Sequence, residues 1–340
     1  MANYPFANVR TRPMWGGLGA DVDIHVEKYT GKTLEQFSRS SIFANEMLTD
    51  NESVEGETNT LRLDYAGGTE VRTRKSGEGL ERDRLVYEKK IIVVDTMNYA
   101  RSFVDYMDEW TAPSRIDHIS RSQGIAQATV FDSVHMKSLF LASEWEAPAS
   151  LKRYNEFADG VWHTIDGFTA ETDPEKQAAL FIAALMAMQE EATYRNLDGD
   201  MNEAILLVKP ELFSILLTDK RLTTLDFGGI QAGNSFVGRR MGVINGIRLL
   251  ETPRFPRRAG PITANHNWTK YEFTEKDTTA LAVFYFPRHT LQTVWAYQFA
   301  SKVWDDDENQ TIVVENFGMY EVGIKRGDAT FVIATDDVEP

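Results

Sequence analysis

The chain has 340 residues, 42% of them apolar and 26% charged, the composition of a globular protein long enough for one large or two ordinary domains. Its 36 basic and 51 acidic side chains leave a formal charge of −15. That balance argues against a protein whose affinity comes from neutralising phosphates, and suits a surface that DNA lies beside without sticking. With no cysteine there is no disulfide, thiol nucleophile or thiolate metal ligand, which fits a reducing cytoplasm. No apolar run is long enough to span a membrane, and Met1-Ala2-Asn3-Tyr4-Pro5-Phe6 lacks the regions of a secretory signal.

Residues 1 to about 40, with Pro5, Pro13 and Gly16-Gly17, read as an extended arm. A short helix is expected within Leu34 to Leu48, carrying Leu34, Phe37, Phe43 and Met47. Thr60 to Tyr65 alternates polar and apolar residues as a strand, and Leu85 to Asp95 returns as a second one. Between them lies a charged stretch, Arg72, Arg74, Lys75, Glu78, Glu81, Arg82, Asp83 and Arg84, whose only large apolar residues are Val71 and Leu80. Such a hairpin tip cannot bury itself on its own body, so it moves in water or lies on a neighbouring chain. Asp95 to Thr111, with Tyr99, Phe103, Tyr106 and Met107, suggests a further short helix.

Pro113 and Ser114 open a helical run that Pro148 stops near Trp145, about 48 Å long at the helical rise. Ile119, Ala126, Val130 and Val134 form its apolar stripe, and Asp117, Arg121, Gln127, Asp132 and Lys137 are expected on its other faces. A projecting hairpin feeding so long a helix suits a subunit that tiles a surface.

A new unit begins near Gly160. Thr172-Asp173-Pro174-Glu175 is a helix start, and the helix should run to about Arg195 with Phe181, Ala184, Leu185 and Met188 inward. Ala204 to Val208 reads as a buried strand, and Pro210 starts a short helix. Val243 to Leu250, Ala280 to Phe286, Thr290 to Phe299 and Thr311 to Val314 follow as strands, and Tyr320 to Ala334 as a final strand pair around Arg326-Gly327-Asp328. The alternation implies a mixed sheet with helices on its faces. The tail Asp336 to Pro340 is acidic and loose.

Chemistry-bearing patterns are incomplete. Gly31-Lys32-Thr33 resembles the end of a phosphate loop, but Val26 stands where the first glycine belongs. Asp198, Asp200 and Asn202 fit the opening of a calcium loop, yet Glu203 and Lys209 occupy the positions of its glycine and its closing Glu. Asp305-Asp306-Asp307-Glu308 reads as a solvated turn. No two of the six histidines stand at metal-ligand spacing, and no Gly-x-Ser-x-Gly elbow occurs. No catalytic residue, cofactor or metal is therefore expected. Arg239, Arg240, Arg254, Arg257 and Arg258 form the basic clusters, for which the overall charge favours an acidic neighbouring subunit over DNA.

Taken together, certain segments carry a resemblance. They are Glu88 to Asp95, Tyr106-Met107-Asp108-Glu109, Ser122-Gln123-Gly124 with Ala126 to Asp132, Ala183-Ala184-Leu185-Met186, and Val208 to Leu216. Further on come Gly246 to Pro253, Phe284 to Arg288 with Thr293-Val294, Phe317 to Tyr320, and Gly327 to Phe331. In order and spacing the chain resembles the major capsid proteins of tailed double-stranded DNA bacteriophages, nearest to T-seven-like short-tailed podoviruses.

The resemblance implies an α+β fold of the Hong Kong ninety-seven type. It has an N-terminal arm over 1–55, an extended hairpin loop over 56–95, a peripheral domain over 96–165 with its spine helix at 114–145, and an axial domain over 166–285. Peripheral strands follow over 286–315, with a return to the axial domain over 316–340. It also implies hexamers and pentamers closing an icosahedral shell in the virion, assembled in the bacterial cytoplasm. The implied partners are packaged DNA, a portal protein at one vertex and, in some relatives, a decoration protein. Only a short arm precedes the hairpin, so a separate scaffolding protein is expected. Lys75 is the one hairpin-tip lysine, with no identifiable Asn and acid partners, so no covalent mesh is expected. Gly124 becomes the expected flex point of the spine helix. The alternatives are an encapsulin-type compartment on the same fold, and a soluble hydrolase built on a carboxylate pair.

Overall fold

The structure is a computed structural model that describes residues 31–336, apart from 46, 55–58, 68–70, 81–84, 106–114, 153–156, 196, 198–202, 220–241, 264–267 and 307. Most of the expected arm, the opening of the candidate calcium loop (198–202) and the last four residues of the tail lie outside the described residues. The chain divides into two compact units, each assembled from three stretches of sequence.

The larger unit comprises Glu46–Val93, Ser133–Val294 and Val322–Pro340. Its centre is a six-stranded mixed sheet of β5 (Val161–Ile165), β12 (Thr330–Thr335), β9 (Ala280–Tyr285), β6 (Ile205–Val208), β8 (Ile247–Glu251) and β7 (Val243–Ile244), side by side in that order. β12 runs parallel to β5 and antiparallel to β9, and β6 runs parallel to β8. Every residue of β6 and β9 is buried, because these strands are covered on both faces and read as continuous apolar runs.

The helix Pro174–Tyr194 covers the sheet through Ala178, Phe181, Ala184, Leu185, Met188 and Ala192, a spacing of three and four that keeps one stripe inward. It starts as expected: Asp173 caps it by accepting from the Glu175 amide at 3.1 Å, and Pro174 occupies the first turn. Pro210–Leu216 packs Leu212, Phe213 and Leu216 into the same core.

Two expectations in this unit are corrected. Val243 to Leu250 is a tight hairpin, not one strand, because Asn245 (φ 51°) and Gly246 (φ 85°) take the left-handed pair of angles a two-residue turn requires. Tyr320 to Ala334 does not fold back on itself as a strand pair. β12 joins the six-stranded sheet, while β11 (Thr311–Ile324) lies in a four-stranded sheet of β1 (Asp50–Ser53), β10 (Leu291–Asp306), β11 and β4 (Met97–Asp105), in that order, because Gly327–Ala329 forms a helical turn between β11 and β12.

The smaller unit comprises Met1–Asn45, Val94–Asp132 and Trp295–Glu321. Residues 31–40 are helical, as expected for part of Leu34 to Leu48. Met97–Asp105 is a strand (β4), not the expected helix, and it pairs antiparallel with β11 from Thr311↔Asp105 to Met319↔Met97. Spacing of four between Tyr99 and Phe103 satisfies a helix face and a strand face alike, and pairing with β11 decides for the strand. Within this unit Phe37, Phe131, Trp295, Phe299 and Tyr320 form an aromatic core, with Phe37 4.8 Å from Phe299 and Phe131 5.0 Å from Tyr320.

The long helix spans Arg115–Ser143 as expected, and the division into units falls within it, between Asp132 and Ser133. Its expected partition of faces is corrected. Ala126 is exposed, whereas Gln127, Asp132 and Lys137 are buried. Each buried charge has partners, which is the condition for enclosing it. Lys137 Nζ lies 2.6 Å from Asp277 in the larger unit, and Asp277 also accepts from the Thr274 amide at 2.7 Å to cap a short helix. In the smaller unit the Asp132 carboxylate accepts from the Ser41 hydroxyl at 2.6 Å and from the Ile42 and Phe43 amides at 3.1 and 3.2 Å.

Candidate assembly surfaces

Thr60–Ala66 (β2) and Tyr87–Val93 (β3) make the expected two-stranded hairpin, with Thr60 opposite Val93 and Ala66 opposite Tyr87. Opposed residues share a face, so Leu61, Leu63 and Tyr65 stand with Ile92, Lys90 and Glu88. This inner face is docked on its own unit. The Tyr65 hydroxyl donates to the Lys325 carbonyl at 2.6 Å, Lys90 Nζ donates to the Ile324 carbonyl at 3.1 Å, and the Ser150 hydroxyl donates to Glu88 at 2.8 Å. Burial pushes the Tyr65 phenol up to about 12, with Arg326 opposing and Asp328 adding to the shift. Burial, and then the charge of Lys270, hold Lys90 below the usual lysine range.

The outer face carries Arg62, Asp64 and Lys89 among apolar residues that no other described residue covers: Tyr87 is 70% exposed and Ile91 54%, with Val93 beside them. A two-stranded ribbon with apolar residues on both faces has one face to spare.

Four of the tip residues singled out from sequence, Arg72, Arg74, Lys75 and Glu78, are exposed. There the chain turns on itself: Lys75 donates its amide to Glu78 Oε2 at 2.8 Å, Arg74 donates to the Glu78 carbonyl at 2.9 Å, and Gly77 adopts φ 93°. Glu81, Arg82, Asp83 and Arg84 lie outside the described residues.

Sequence reasoning missed a second surface because it read β4 as a helix. Met97, Tyr99, Arg101 and Phe103 line one face of β4, and Phe103 is 73% exposed. Their neighbours on β11 are Met319, Phe317, Glu315 and Val313, in register. Arg101 pairs with Glu315 at 3.0 Å and lies over Trp304 at 5.2 Å, and Tyr297 stacks on Phe317 at 5.7 Å. The signal that could have found this face is the alternation of large residues at 97, 99, 101 and 103 with small or polar ones between.

Arg257 and Arg258 are exposed on the loop after β8, which buried Phe255 and Pro256 hold in place, and Arg254 donates its amide to Thr252 Oγ1 at 3.2 Å. Arg239 and Arg240 lie outside the described residues. Gly124 faces residues 31–40 of its own unit, where an added Cβ would stand 2.7 Å from the Thr33 carbonyl oxygen. Close approach of two helices therefore gives that glycine a role of its own. Among the described residues no group of three or more His, Cys, Asp or Glu is placed to hold a metal, and no helix is long and apolar enough to cross a membrane.

These elements are the parts of the Hong Kong ninety-seven-type coat fold, and comparison with solved structures shows that fold. The mature capsid of bacteriophage PhiM1 is similar over 88% of both chains, with a TM-score of 0.76 and 32% identity. The capsid of cyanophage P-SCSP1u is similar over 87% of this chain and 88% of its own, with a TM-score of 0.70 and 17% identity. A virus-like particle from Pyrococcus furiosus covers 91% of this chain, with 99% of its own covered, at a TM-score of 0.54 and 12% identity. No protein-family model and no curated protein matches. The chain belongs to the phage capsid proteins, on its 32% identity across nearly the whole PhiM1 subunit.

Proposed function

We propose that the chain is the major capsid subunit of a T-seven-like short-tailed phage, forming hexamers and pentamers that close an icosahedral shell around double-stranded DNA. The observation that carries this reading is the 32% identity with the PhiM1 mature capsid over 88% of both chains. The likeness to the Pyrococcus furiosus particle, at 12% identity, supports the fold alone. Assembly would take place in the host cytoplasm with a separate scaffolding protein, with a portal at one vertex and any decoration protein added outside. The function is structural, without catalysis or cofactor.

In this reading 1–55 is the arm, 56–95 the loop reaching a neighbouring subunit, 96–165 and 286–315 the peripheral domain, and 166–285 with 316–340 the axial domain. The hairpin tip makes charge-paired contacts worth about 0–1 kcal/mol each. The uncovered faces of β3 and β4 add the apolar area that lattice contacts require. Arg239, Arg240, Arg254, Arg257 and Arg258 meet an acidic neighbour or the packaged DNA, and the spine helix bends near Gly124 on maturation.

Electron microscopy with light scattering, on protein made with and without its scaffold, tests the reading. Shells or capsomers tens of nanometres across support it, and a monodisperse monomer under every condition overturns it. Shells that hold an enzyme and no DNA would move the chain to the compartment class. A variant lacking residues 69–84 is expected to fold as a soluble monomer that makes no shells, and normal shells from it would remove the tip from the contact.

A further inference from the structure

The hairpin is held at its root more firmly than a two-stranded ribbon needs to be. Ile92 is 5% exposed on the inner face of β3, and its side chain occupies the space where Gly323, near the end of β11, has no side chain. A Cβ at 323 would overlap Ile92 Cδ1 and stand 2.7 Å from Cγ1, closer than carbon atoms approach without one of them moving. The next two carbonyls along β11 and beyond, Ile324 and Lys325, accept from Lys90 and Tyr65.

One face of the hairpin thus meets three consecutive residues, 323 to 325, through an apolar plug and two donors. That segment is itself fixed. The Lys325 and Arg326 amides donate to the Thr290 and His289 carbonyls at 2.8 and 3.0 Å, and Lys325 Nζ pairs with Asp50 at 2.8 Å. Tyr65 also meets Phe157 edge-on at 6.1 Å, and Arg326 lies over the Phe157 ring at 4.4 Å.

We propose that Gly323 is the seat of a latch, closed by Ile92 and held by Lys90 and Tyr65, which sets the direction in which the hairpin leaves its subunit. The inference rests on the shell reading for its consequence, since a loop that must reach a second copy fixes the geometry of every contact by its angle. These are positioning residues. They act through the ribbon they orient. A latch made of one side-chain slot and two hydrogen bonds to main-chain carbonyls is also reversible, which suits a loop that must be re-aimed while a shell is built.

The test uses the full chain and two separate readouts. In the unassembled subunit, Gly323→Ala should raise amide hydrogen exchange across β2 and β3 about tenfold while β9 and β6 keep their protection. The same variant should give shells of altered diameter or none. The double variant Gly323→Ala with Ile92→Ala, which empties the slot for the new methyl group, should recover part of the hairpin's protection and the wild-type shell diameter.

Unchanged exchange in the hairpin, failure of the double variant to recover it, or wild-type shells from a loosened hairpin would each overturn the latch. If Gly323→Ala does not fold, Tyr65→Phe and Lys90→Met break one donor each and are read the same way, with a smaller rise expected. Absence of shells from the wild-type protein would instead overturn the shell reading, and hairpin exchange in the unassembled subunit would still decide whether the latch exists.

Discussion

Two apolar runs in this chain look alike and end differently. Ala280 to Tyr285 becomes β9, the inner strand between β12 and β6, with all six residues buried. Ile91-Ile92-Val93-Val94 lies at the end of the hairpin, where Ile92 and Val94 are buried while Ile91 and Val93 are exposed. β9 has cover on both faces from its own unit, and β3 has cover on one. A ribbon apolar on both faces that the described residues cover on one has a face to spare, and a second copy is the cover that the proposed capsid reading would supply.

The largest effect should come from damaging the finished side of this comparison. Phe284 is fully buried, with its ring 5.4 Å from Phe331 and 5.3 Å from Phe286. Phe284→Ala removes that ring and leaves a cavity, at a cost of about 3–5 kcal/mol. Denaturant unfolding of the isolated subunit measures it, and a loss below about 1 kcal/mol would mean the core collapses around the gap.

Asp132→Ala comes next. It strands the Ser41 hydroxyl and two amides that now donate to the carboxylate, and about 2–4 kcal/mol should be lost in the same experiment.

Ser at both Tyr87 and Ile91 strikes the unfinished side. Both side chains stand largely in water, so subunit stability should shift by less than about 0.5 kcal/mol. Shell yield should fall sharply, as seen by sedimentation. Loss of subunit stability equal to that of a core variant would show that the outer face is covered within the chain after all.

The contrast also explains what could be read from the amino acids. The helix at Pro174, the buried strands at 205 and 280, and the hairpin were legible because local signals and final environment agree: a cap with proline, a continuous apolar run, two strands flanking a charged loop. β4 was not, because residues spaced by four fit either period and only its pairing with β11 chooses. Nor were the polar residues of the long helix. Asp132 and Lys137 look like solvent positions until the groups that satisfy them, residues 41–43 and Asp277, arrive from 89 or more positions away in sequence. The hairpin was legible as a two-stranded ribbon with a charged tip, but its root was not. Gly323 shows no turn signal, and its reason for being glycine is a side chain on another strand.

The smallest effect concerns that root. The Tyr65 phenol is raised from 10.0 to about 12 because burial disfavours the phenolate. The neutral form is the one that donates to the Lys325 carbonyl, so its contribution is complete below pH 10 and is lost as pH rises through about 12. Lys90 works the other way. Its pKa is lowered by burial and by Lys270, so the folded state disfavours the charge, and rising pH relieves that cost. Alkaline solution should therefore loosen the hairpin through Tyr65 alone. Subtracting the alkaline absorbance titration of Tyr65→Phe from that of the wild type should leave one phenol with its midpoint near 12, and the hairpin's exchange should quicken over the same interval in the wild type only. A difference curve centred near 10 would mean that Tyr65 is in free contact with water and that its bond to the Lys325 carbonyl does not hold the root.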